Sequence, residues 1–313
     1  MPGDRKPDGS RFLHDLTIRP FASHEDYEAC TNFQEEVWGE GFSEKVSAAI
    51  LKIANRLGGL AAGAFDDEGL LHGFVFGLTG VVDGSLVHWS DMLAVRSQGR
   101  DLGLGTRLKL YQRDFLLERG VREMRWTFDP LQGRNAHVNF SKLGVVCREY
   151  VENMYGQTDS PLHRGIGTDR LVATWQMESE RVEARLSGEA EESPLAKDPQ
   201  TFRKALGSSD GPVDVLPLVE SGSLSIPGEP VLGLDGPSLR LAVPGFIDGM
   251  MESDLPLAVR WREATRKAFL HYFSRGYEAV EFTRGDPVSS YLLVHPGAEA
   301  PGDAWESRAG KRA

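Results

Sequence analysis

The sequence predicts a mixed α/β fold of the α+β type, in which helices flank a central mixed sheet and a smaller C-terminal α/β region follows. Turn signals at residues 66 to 69 and 83 to 84 separate alternating apolar segments, which indicates antiparallel hairpins. A strand, a glycine loop, a helix and a further strand follow between residues 86 and 128. An acidic stretch poor in apolar residues, 178 to 200, then precedes a second set of alternating segments.

Apolar spacing predicts the first elements. Residues 1 to 15 show no periodicity and are expected to form a loose tail. A short strand around residues 16 to 18 precedes a helix over residues 24 to 38, and Ser43 can cap a second helix that a glycine pair ends. The expected hairpin arms are GLAAGAFD and LLHGFVFGLTG, with LVHWSDMLAV as a third strand.

The middle of the chain is expected to form a β-α-β unit. One apolar helix face begins in the glycine loop and ends before Gly120, and VREMRWTF then alternates as a strand. Another helix ends at Leu143-Gly144, and two more strands flank a glycine-rich loop. The predicted organisation is a tail (1 to 15), a first domain (16 to 177), an acidic linker (178 to 200), a C-terminal α/β companion domain (201 to 295) and a second tail (296 to 313).

The composition is that of a globular protein, with 313 residues, 40% apolar and 26% charged residues, and a net charge of −11. This acidity argues against a nucleic-acid partner. Apolar runs are shorter than the roughly 18 residues of a membrane-spanning helix, and the polar N-terminus differs from a signal peptide, so we expect no membrane partner and a cytoplasmic location. Cys30 and Cys147 lack neighbours at metal-ligand spacing, so neither a disulfide framework nor a metal is expected.

The strongest chemical signal is the loop Arg100-Asp101-Leu102-Gly103-Leu104-Gly105 between a strand and a helix. Unsatisfied N–H groups at a helix N-terminus favour anions, and glycine allows a phosphate to approach the main chain closely. Residues 96 to 113 hold five cationic side chains against one acidic side chain. The pattern differs from the P-loop and from the dinucleotide fingerprint, so it predicts a cradle for a small phosphorylated ligand. The alternative is a tight turn without a ligand.

The stretch AVRSQGRDLGLGTRL resembles the acetyl-CoA loop of the GCN5-related N-acetyltransferases, whose pattern is Gln or Arg, two residues, Gly, one residue, and Gly or Ala. LTIRPF and SKLGV are similar to the entry strand and to a helix end of that family, and the match spans residues 16 to 177. WTFDPLQGRNAHVNFSKLG and TDRLVATWQ resemble a less characterised branch with a C-terminal extension.

The resemblance implies an acyl-CoA-binding catalytic domain over residues 16 to 177, with acetyl-CoA or another acyl-CoA as co-substrate. The acyl-pantetheine arm would pair with the main chain near Leu93 and Val95, in a gap between two splayed strands. The diphosphate would rest on the N–H groups of the glycine loop, contributed by Arg100, Gly103, Leu104, Gly105 and Thr106. The implied reaction is direct attack of a primary amine on acetyl-CoA. The expected acceptor is a small-molecule amine or an amino acid, with a homodimer as a further expectation.

The sequence departs from the family pattern at the residue that protonates the leaving sulfur. Phe140 stands where many relatives have a tyrosine, so Tyr150 and Tyr155 are the hydroxyl candidates for that role. Gly133 aligns with an asparagine that contacts the cofactor, and Asn135 and Asn139 are expected to substitute for it.

The general base is expected on the strands that border the gap. Asp91 is the first candidate, and His88 and Asp129 are the others; the alternatives are a strand histidine for His88 and a turn residue for Asp129.

Two other functions agree with the same residues. One is a non-enzymatic acyl-CoA-binding or regulatory module, which the missing tyrosine at position 140 favours. The other is an N-acyltransferase that uses succinyl-CoA or another acyl-CoA on an amino acid.

The helix, Arg-Gly and strand of residues 109 to 128 also recur near residues 265 to 283. Because the loop of this second copy is acidic and lacks paired glycines, the C-terminal region is expected not to bind CoA.

Overall fold

The computed structural model describes residues 15–40, 42, 44–99, 102–156, 165–188, 211–222 and 224–296. The predicted mixed α/β class is confirmed. Short 3-10 and π-helical turns occupy Ser97–Gly99 and Val138–Lys142. The helices and strands are, in chain order, β1 (Thr17–Pro20), α1 (His24–Trp38), α2 (Ala48–Arg56), β2 (Leu60–Phe65), β3 (Leu71–Val82), β4 (Ser85–Val95), α3 (Leu104–Leu117), β5 (Glu123–Phe128), α4 (Gly133–His137), β6 (Val146–Val151), β7 (Arg170–Gln176), α5 (Glu180–Leu186), β8 (Val213–Asp214), β9 (Leu218–Ser221), β10 (Leu224–Pro227), β11 (Ser238–Pro244), α6 (Ile247–Ser253), α7 (Leu255–Ser274), β12 (Glu278–Thr283) and β13 (Val288–Val294).

The chain divides into two compact units. The first consists of residues 1 to 126 with 176 to 178, and the second of residues 127 to 175 with 179 to 313. This division differs from the predicted boundary in the acidic stretch. Helix α5 also lies within the predicted linker, where Val182 and Arg185 are buried.

The first unit contains a sheet in the order β1-β2-β3-β4-β5. Its neighbours are antiparallel from β1 to β4, and β5 runs parallel to β4. Because strand side chains alternate between faces, Phe74 and Phe76 of β3 join the core under α1 and α2, whereas Val75 joins the core under α3. The sheet therefore carries helices on both faces.

Helix α1 begins where predicted, at a capping box formed by Ser23 and Asp26. Helix α2 begins later than predicted, after Ser47, and Val46 precedes it. The predicted cap, Ser43, lies outside the described residues.

The second unit has strands in the order β7-β6-β12-β13-β11-β8. Neighbours are antiparallel except β11 and β8, which are parallel. Helix α7 buries Trp261, Phe269 and Tyr272. The residue pair Cys147–Ala279 joins β6 to β12, so residues on both sides of the predicted linker belong to one core.

Within the described ranges, no helix is both long enough and apolar enough to span a bilayer. The same ranges contain no group of His, Cys, Asp and Glu side chains suited to hold a metal ion. Cys30 and Cys147 are free and fully buried, and burial raises the pKa of both thiols. Both cysteines are therefore core residues.

Candidate functional site

Gly103 of the glycine loop is the N-cap of α3, which begins at Leu104. Gly103 has φ of +86°, a left-handed conformation that glycine adopts without a steric penalty, and a β-carbon placed there would meet no atom within 4 Å. The first turn of α3 leaves the N–H groups of Leu104, Gly105 and Thr106 without acceptors inside the helix. The loop therefore presents main-chain donors at an open surface. Arg100 and Asp101 lie outside the described residues.

The end of β4 packs directly against this helix start. A β-carbon at Gly105 would lie 3.5 Å from the side chain of Leu93 and 3.8 Å from that of Val95. Leu104 is fully buried, Val95 is buried and Leu93 is half-buried. The structure thus brings together the described residues that the sequence predicted for cofactor binding on β4 and in the loop; Asn135, in the second unit, is described below.

Strands β4 and β5 pair over a short distance only. Their parallel register covers three residue pairs and ends at Trp89 opposite Arg125. Beyond that pair, no further rung joins β4 to β5 in the described part of the chain, although β4 continues to Val95. The stretch of β4 from Ser90 to Ala94, which makes no rung with β5, is called the open edge below. An open main-chain edge beside a helix N-terminus can accept an extended ligand that makes strand-like hydrogen bonds.

A β-bulge marks the place where this edge begins. Phe76 of β3 pairs with Met92, whereas the next residue, Gly77, pairs with Ser90, so Asp91 is the extra residue on β4. A bulge bends its strand and re-aims a side chain. The side chain of Asp91 is exposed on one side, yet the surrounding protein desolvates its carboxyl group and raises its pKa; a hydrogen bond from the Trp89 indole opposes this shift. The bulge therefore places a carboxyl group of raised pKa at the start of the open edge.

His88, the other strand candidate for a base, is buried and has hydrogen-bond partners at both ring nitrogens. It is fully buried, and burial lowers the pKa of its imidazole to about 3, so the ring is neutral. Its Nδ1 lies 2.9 Å from Thr79 Oγ1, and its Nε2 lies 2.9 Å from the amide nitrogen of Gln112. A β-carbon at residue 77 would lie 2.3 Å from His88 Nε2, so Gly77 is the residue that makes room for the ring. His88 fits the alternative of a hydrogen-bonded strand histidine.

Three of the cationic side chains that the sequence placed near the loop make contacts elsewhere in the fold. Arg96 pairs with Glu36 and donates to the carbonyl of Leu71. Arg113 donates to the carbonyl of Met177. Lys109 is buried under the sheet instead of lying at the loop. The net positive charge counted along the sequence is therefore not gathered at the cradle by these three side chains.

Lys109 and its partners form a polar cluster that the sequence reading missed. The Lys109 ammonium donates to Ser90 Oγ at 2.8 Å, and Ser90 donates to Gln112 Oε1 at 2.9 Å. The sequence signal was present, because Lys109 and Gln112 lie three positions apart on the helix that faces His88 and Ser90. In the sequence, Lys109 counts among the charges of the loop. A charge count along the chain carries no information about side-chain direction, so it could not show that Lys109 points into the core.

The predicted site residues of α4 and the turn after it lie in the second unit. Phe140 is fully buried, with its ring in edge contact with Phe128 and Tyr291 at centroid distances of 6.2 and 5.6 Å. Asn139 is buried beside it, and Asn135 is exposed on α4. Phe140 therefore packs as a core residue of that unit.

The tyrosines and Asp129 also belong to the second unit. The Tyr150 hydroxyl donates to Asp169 Oδ2 at 2.6 Å, and burial raises the pKa of this phenol. Tyr155 is exposed and its hydroxyl lies 2.9 Å from Thr127 Oγ1. Asp129 accepts from the main-chain N–H of Leu131 and pairs with the buried Arg262 at 2.6 Å, as expected for a turn residue.

No protein-family model matches the chain, and no curated protein matches it. Solved structures of similar fold each cover about half of it. They include the NatC complex bound to Gag peptide and CoA (14% identity, 52% of this chain and 98% of that chain, TM-score 0.42). Ard1 from Thermoplasma volcanium is also similar (19% identity, 51% of this chain and 96% of that chain, TM-score 0.39). So is the ribosomal-protein-S18-alanine N-acetyltransferase from Escherichia coli (19% identity, 52% of this chain and 95% of that chain, TM-score 0.40). At these scores the likeness identifies no function, which has to follow from the residues of the chain itself.

Proposed function

We propose that this chain is a CoA-dependent N-acyltransferase that transfers an acetyl group from acetyl-CoA to a primary amine. The observation that carries the proposal is the open edge of β4, which begins after the pair Trp89–Arg125 and runs to the N-terminus of α3. An extended thiol arm that ends in a diphosphate matches that arrangement. The loop motif, which resembles the acetyl-CoA loop of N-acetyltransferases, supports the same ligand.

In the proposed complex, the pantetheine amides pair with the main chain near Leu93 and Val95. The diphosphate accepts hydrogen bonds from the N–H groups of Leu104, Gly105 and Thr106, where the helix dipole favours negative charge. Gly103 leaves the approach to these groups open. We propose Asp91 as the base that takes the proton of the attacking amine, through a bound water, because a raised pKa makes a carboxylate a better proton acceptor.

The proposed acceptor is a small-molecule amine or an amino acid. Transfer rates with acetyl-CoA and with succinyl-CoA identify the preferred acyl group. A homodimer and a cytoplasmic location stay predictions. Amine-dependent release of free CoA thiol, measured over a panel of amines and amino acids, separates an enzyme from a non-enzymatic acyl-CoA-binding module. Tight binding of acetyl-CoA without turnover on any amine would favour the binding module.

The cradle is tested with Gly103→Glu. The new side chain adds bulk and negative charge where the diphosphate is proposed to approach, so CoA affinity should fall by about tenfold or more. Gly69→Glu is a matched control, because Gly69 also has a left-handed φ, of +84°, and also faces open space, in the turn between β2 and β3. Calorimetry should show weak CoA binding for Gly103→Glu and unchanged binding for Gly69→Glu. Equal CoA affinity in the two folded variants would refute the cradle.

A further inference from the structure

A buried lysine without a carboxylate partner lies next to the place where β4 and β5 separate. Lys109 is 7% exposed, and its ammonium donates to Ser90 Oγ at 2.8 Å and to Gln112 Oε1 at 3.3 Å. It also lies 3.9 Å from the sulfur of Met124 and 4.3 Å from the centre of the Trp126 ring. No Asp or Glu of the described chain forms an ion pair with it.

The Lys109 side chain contacts both β4 and β5. The last paired residues are Trp89 on β4 and Arg125 on β5. Ser90 and Trp126, which Lys109 contacts, are the next residue on each strand. The ammonium therefore lies at the apex of the gap, on the α3 side of the sheet.

In the part of the chain that the structure describes, the groups in contact with the Lys109 ammonium or with its partner Gln112 are neutral. Strand β4 contributes the hydroxyl of Ser90 and the neutral imidazole of His88, β5 contributes Met124 and Trp126, and α3 contributes Gln112. Burial lowers the pKa of Lys109 to about 7. A methionine or leucine would fill this space without the cost of desolvating a cation, so packing alone does not account for a lysine here.

We propose that the Lys109 ammonium is the proton donor to the sulfur of CoA when the acyl group leaves. This inference rests on the proposed function, which places the thioester in the gap between β4 and β5. It assigns this role to Lys109 because the positions predicted for the acid are used otherwise where the structure describes them: Phe140 packs in a core, and the hydroxyls of Tyr150 and Tyr155 lie at Asp169 and Thr127. Lys109 and Asp91 then serve as acid and base next to the same pair of separating strands.

The proposed step conserves protons and electrons. The amine nitrogen forms a bond to the thioester carbon, and the carbonyl electron pair moves to oxygen. When that pair returns, the carbon–sulfur bond breaks with its electrons on sulfur, and sulfur takes a proton from the Lys109 ammonium. The acceptor nitrogen loses its extra proton through water to Asp91. After CoA leaves, Asp91 releases its proton to water and the Lys109 amine takes one proton from water, so both groups regain their starting protonation states and the products are an amide and a thiol.

The test measures the ionisation of the thiol in bound CoA, which requires no knowledge of the acceptor. A cation beside the sulfur stabilises the thiolate, so the ionisation constant of CoA bound to the wild-type protein should exceed that of free CoA by about tenfold or more. The thiolate absorbs in the ultraviolet and can be titrated directly. The increase should be lost in Lys109→Met and kept in Lys109→Arg, which preserves a cation. Lys45→Met, which removes an exposed lysine, is the control and should keep it.

The outcomes separate this inference from the proposed function. If wild type and Lys109→Met bind CoA and desulfo-CoA alike but only wild type promotes thiol ionisation, the assignment stands. If both bind CoA and ionise its thiol equally, Lys109 does not face the sulfur and the assignment is overturned, while the proposed function survives. If the folded wild-type protein does not bind CoA at all, the proposed function fails first and the assignment fails with it.

Discussion

Replacing Lys109 with methionine should change how the stability of the protein depends on pH, whatever its function. The Lys109 side chain is buried among neutral groups, and burial lowers its pKa from 10.5 to about 7. The unfolded chain exposes the same amine to water, where its pKa returns to about 10.4. Between these two values the unfolded state therefore binds a proton that the native state does not hold.

The sign and size of the effect follow from this difference. Stability rises with pH wherever the unfolded state binds more protons, so the wild-type protein should gain stability as the pH rises from 7 towards 10. A pKa difference of one unit corresponds to about 1.4 kcal/mol. Because the native lysine is half-protonated near pH 7 and neutral at pH 9, linkage predicts a gain of about 2 kcal/mol across that interval. Methionine at this position has no proton to bind, so the variant should lack this gain.

Urea denaturation at several pH values between 7 and 9 measures the effect. The free energy of unfolding of wild type minus that of Lys109→Met should rise by about 2 kcal/mol over the interval. Taking the difference removes the titration of groups that the two proteins share. Lys45→Met, which removes a lysine paired with Glu35 at the surface, is the control for the loss of a positive charge elsewhere in the chain. Parallel curves for wild type and Lys109→Met would show that the buried amine titrates as it does in the unfolded chain, and the reasoning would be wrong.

Two further substitutions test the second unit. Phe140→Tyr places a hydroxyl in a fully buried contact with Phe128 and Tyr291, so the free energy of unfolding should fall by about 1–3 kcal/mol; an unchanged melting temperature would indicate a partner or space for the hydroxyl. Asp129→Asn leaves the buried Arg262 without its counter-charge and should cost about 3–5 kcal/mol. Adding Arg262→Met to Asp129→Asn should restore part of that loss in urea denaturation, and a double variant no more stable than the single one would contradict the ion-pair explanation.

Local patterns predicted the elements that local interactions form. The apolar face of α3 agrees with the prediction, because this helix buries one continuous side that the 3.6-residue period shows. The helix α5 was missed, since its buried face consists of Val182 and Arg185, and the guanidinium of Arg185 pairs with Glu281 from far along the chain. No residue near α5 in the sequence indicates that partner.

The organisation of the chain was harder to predict for the same reason. The acidic stretch has the composition of a linker, yet β6 before it pairs with β12 after it, and Arg148 of β6 forms an ion pair with Glu278 of β12. Composition reports the solvation of a segment and not the pairing of the strands on either side of it. A chain cut within the acidic stretch would separate β6 from β12. The helix start after Gly103, by contrast, was predictable because it depends on consecutive residues.

The second copy suggested by the sequence also differs from the first in its geometry. Strands β11 and β12 are both antiparallel to β13, so they run in the same direction, as β4 and β5 do. Between β4 and β5 the pairing stops after three residue pairs, whereas β13 lies between β11 and β12 and pairs with both. A strand thus fills the position that corresponds to the proposed acyl site.

The loop after β11 is closed as well. A β-carbon at Gly245 would lie 2.7 Å from the carbonyl oxygen of Gly285 and 2.8 Å from that of Pro287, whereas one at Gly103 would meet nothing within 4 Å. Main-chain oxygens occupy the approach that a diphosphate would need, and they carry the same sign of partial charge as the ligand. Helix α7, the counterpart of α3 in this second copy, has Asp254 at its N-cap, and this carboxylate accepts from the main-chain N–H of Leu257 at 3.1 Å, at the end where an anion would bind. The described residues of β11, β13 and α7 therefore differ from β4 and α3 in both features on which the proposed CoA site depends.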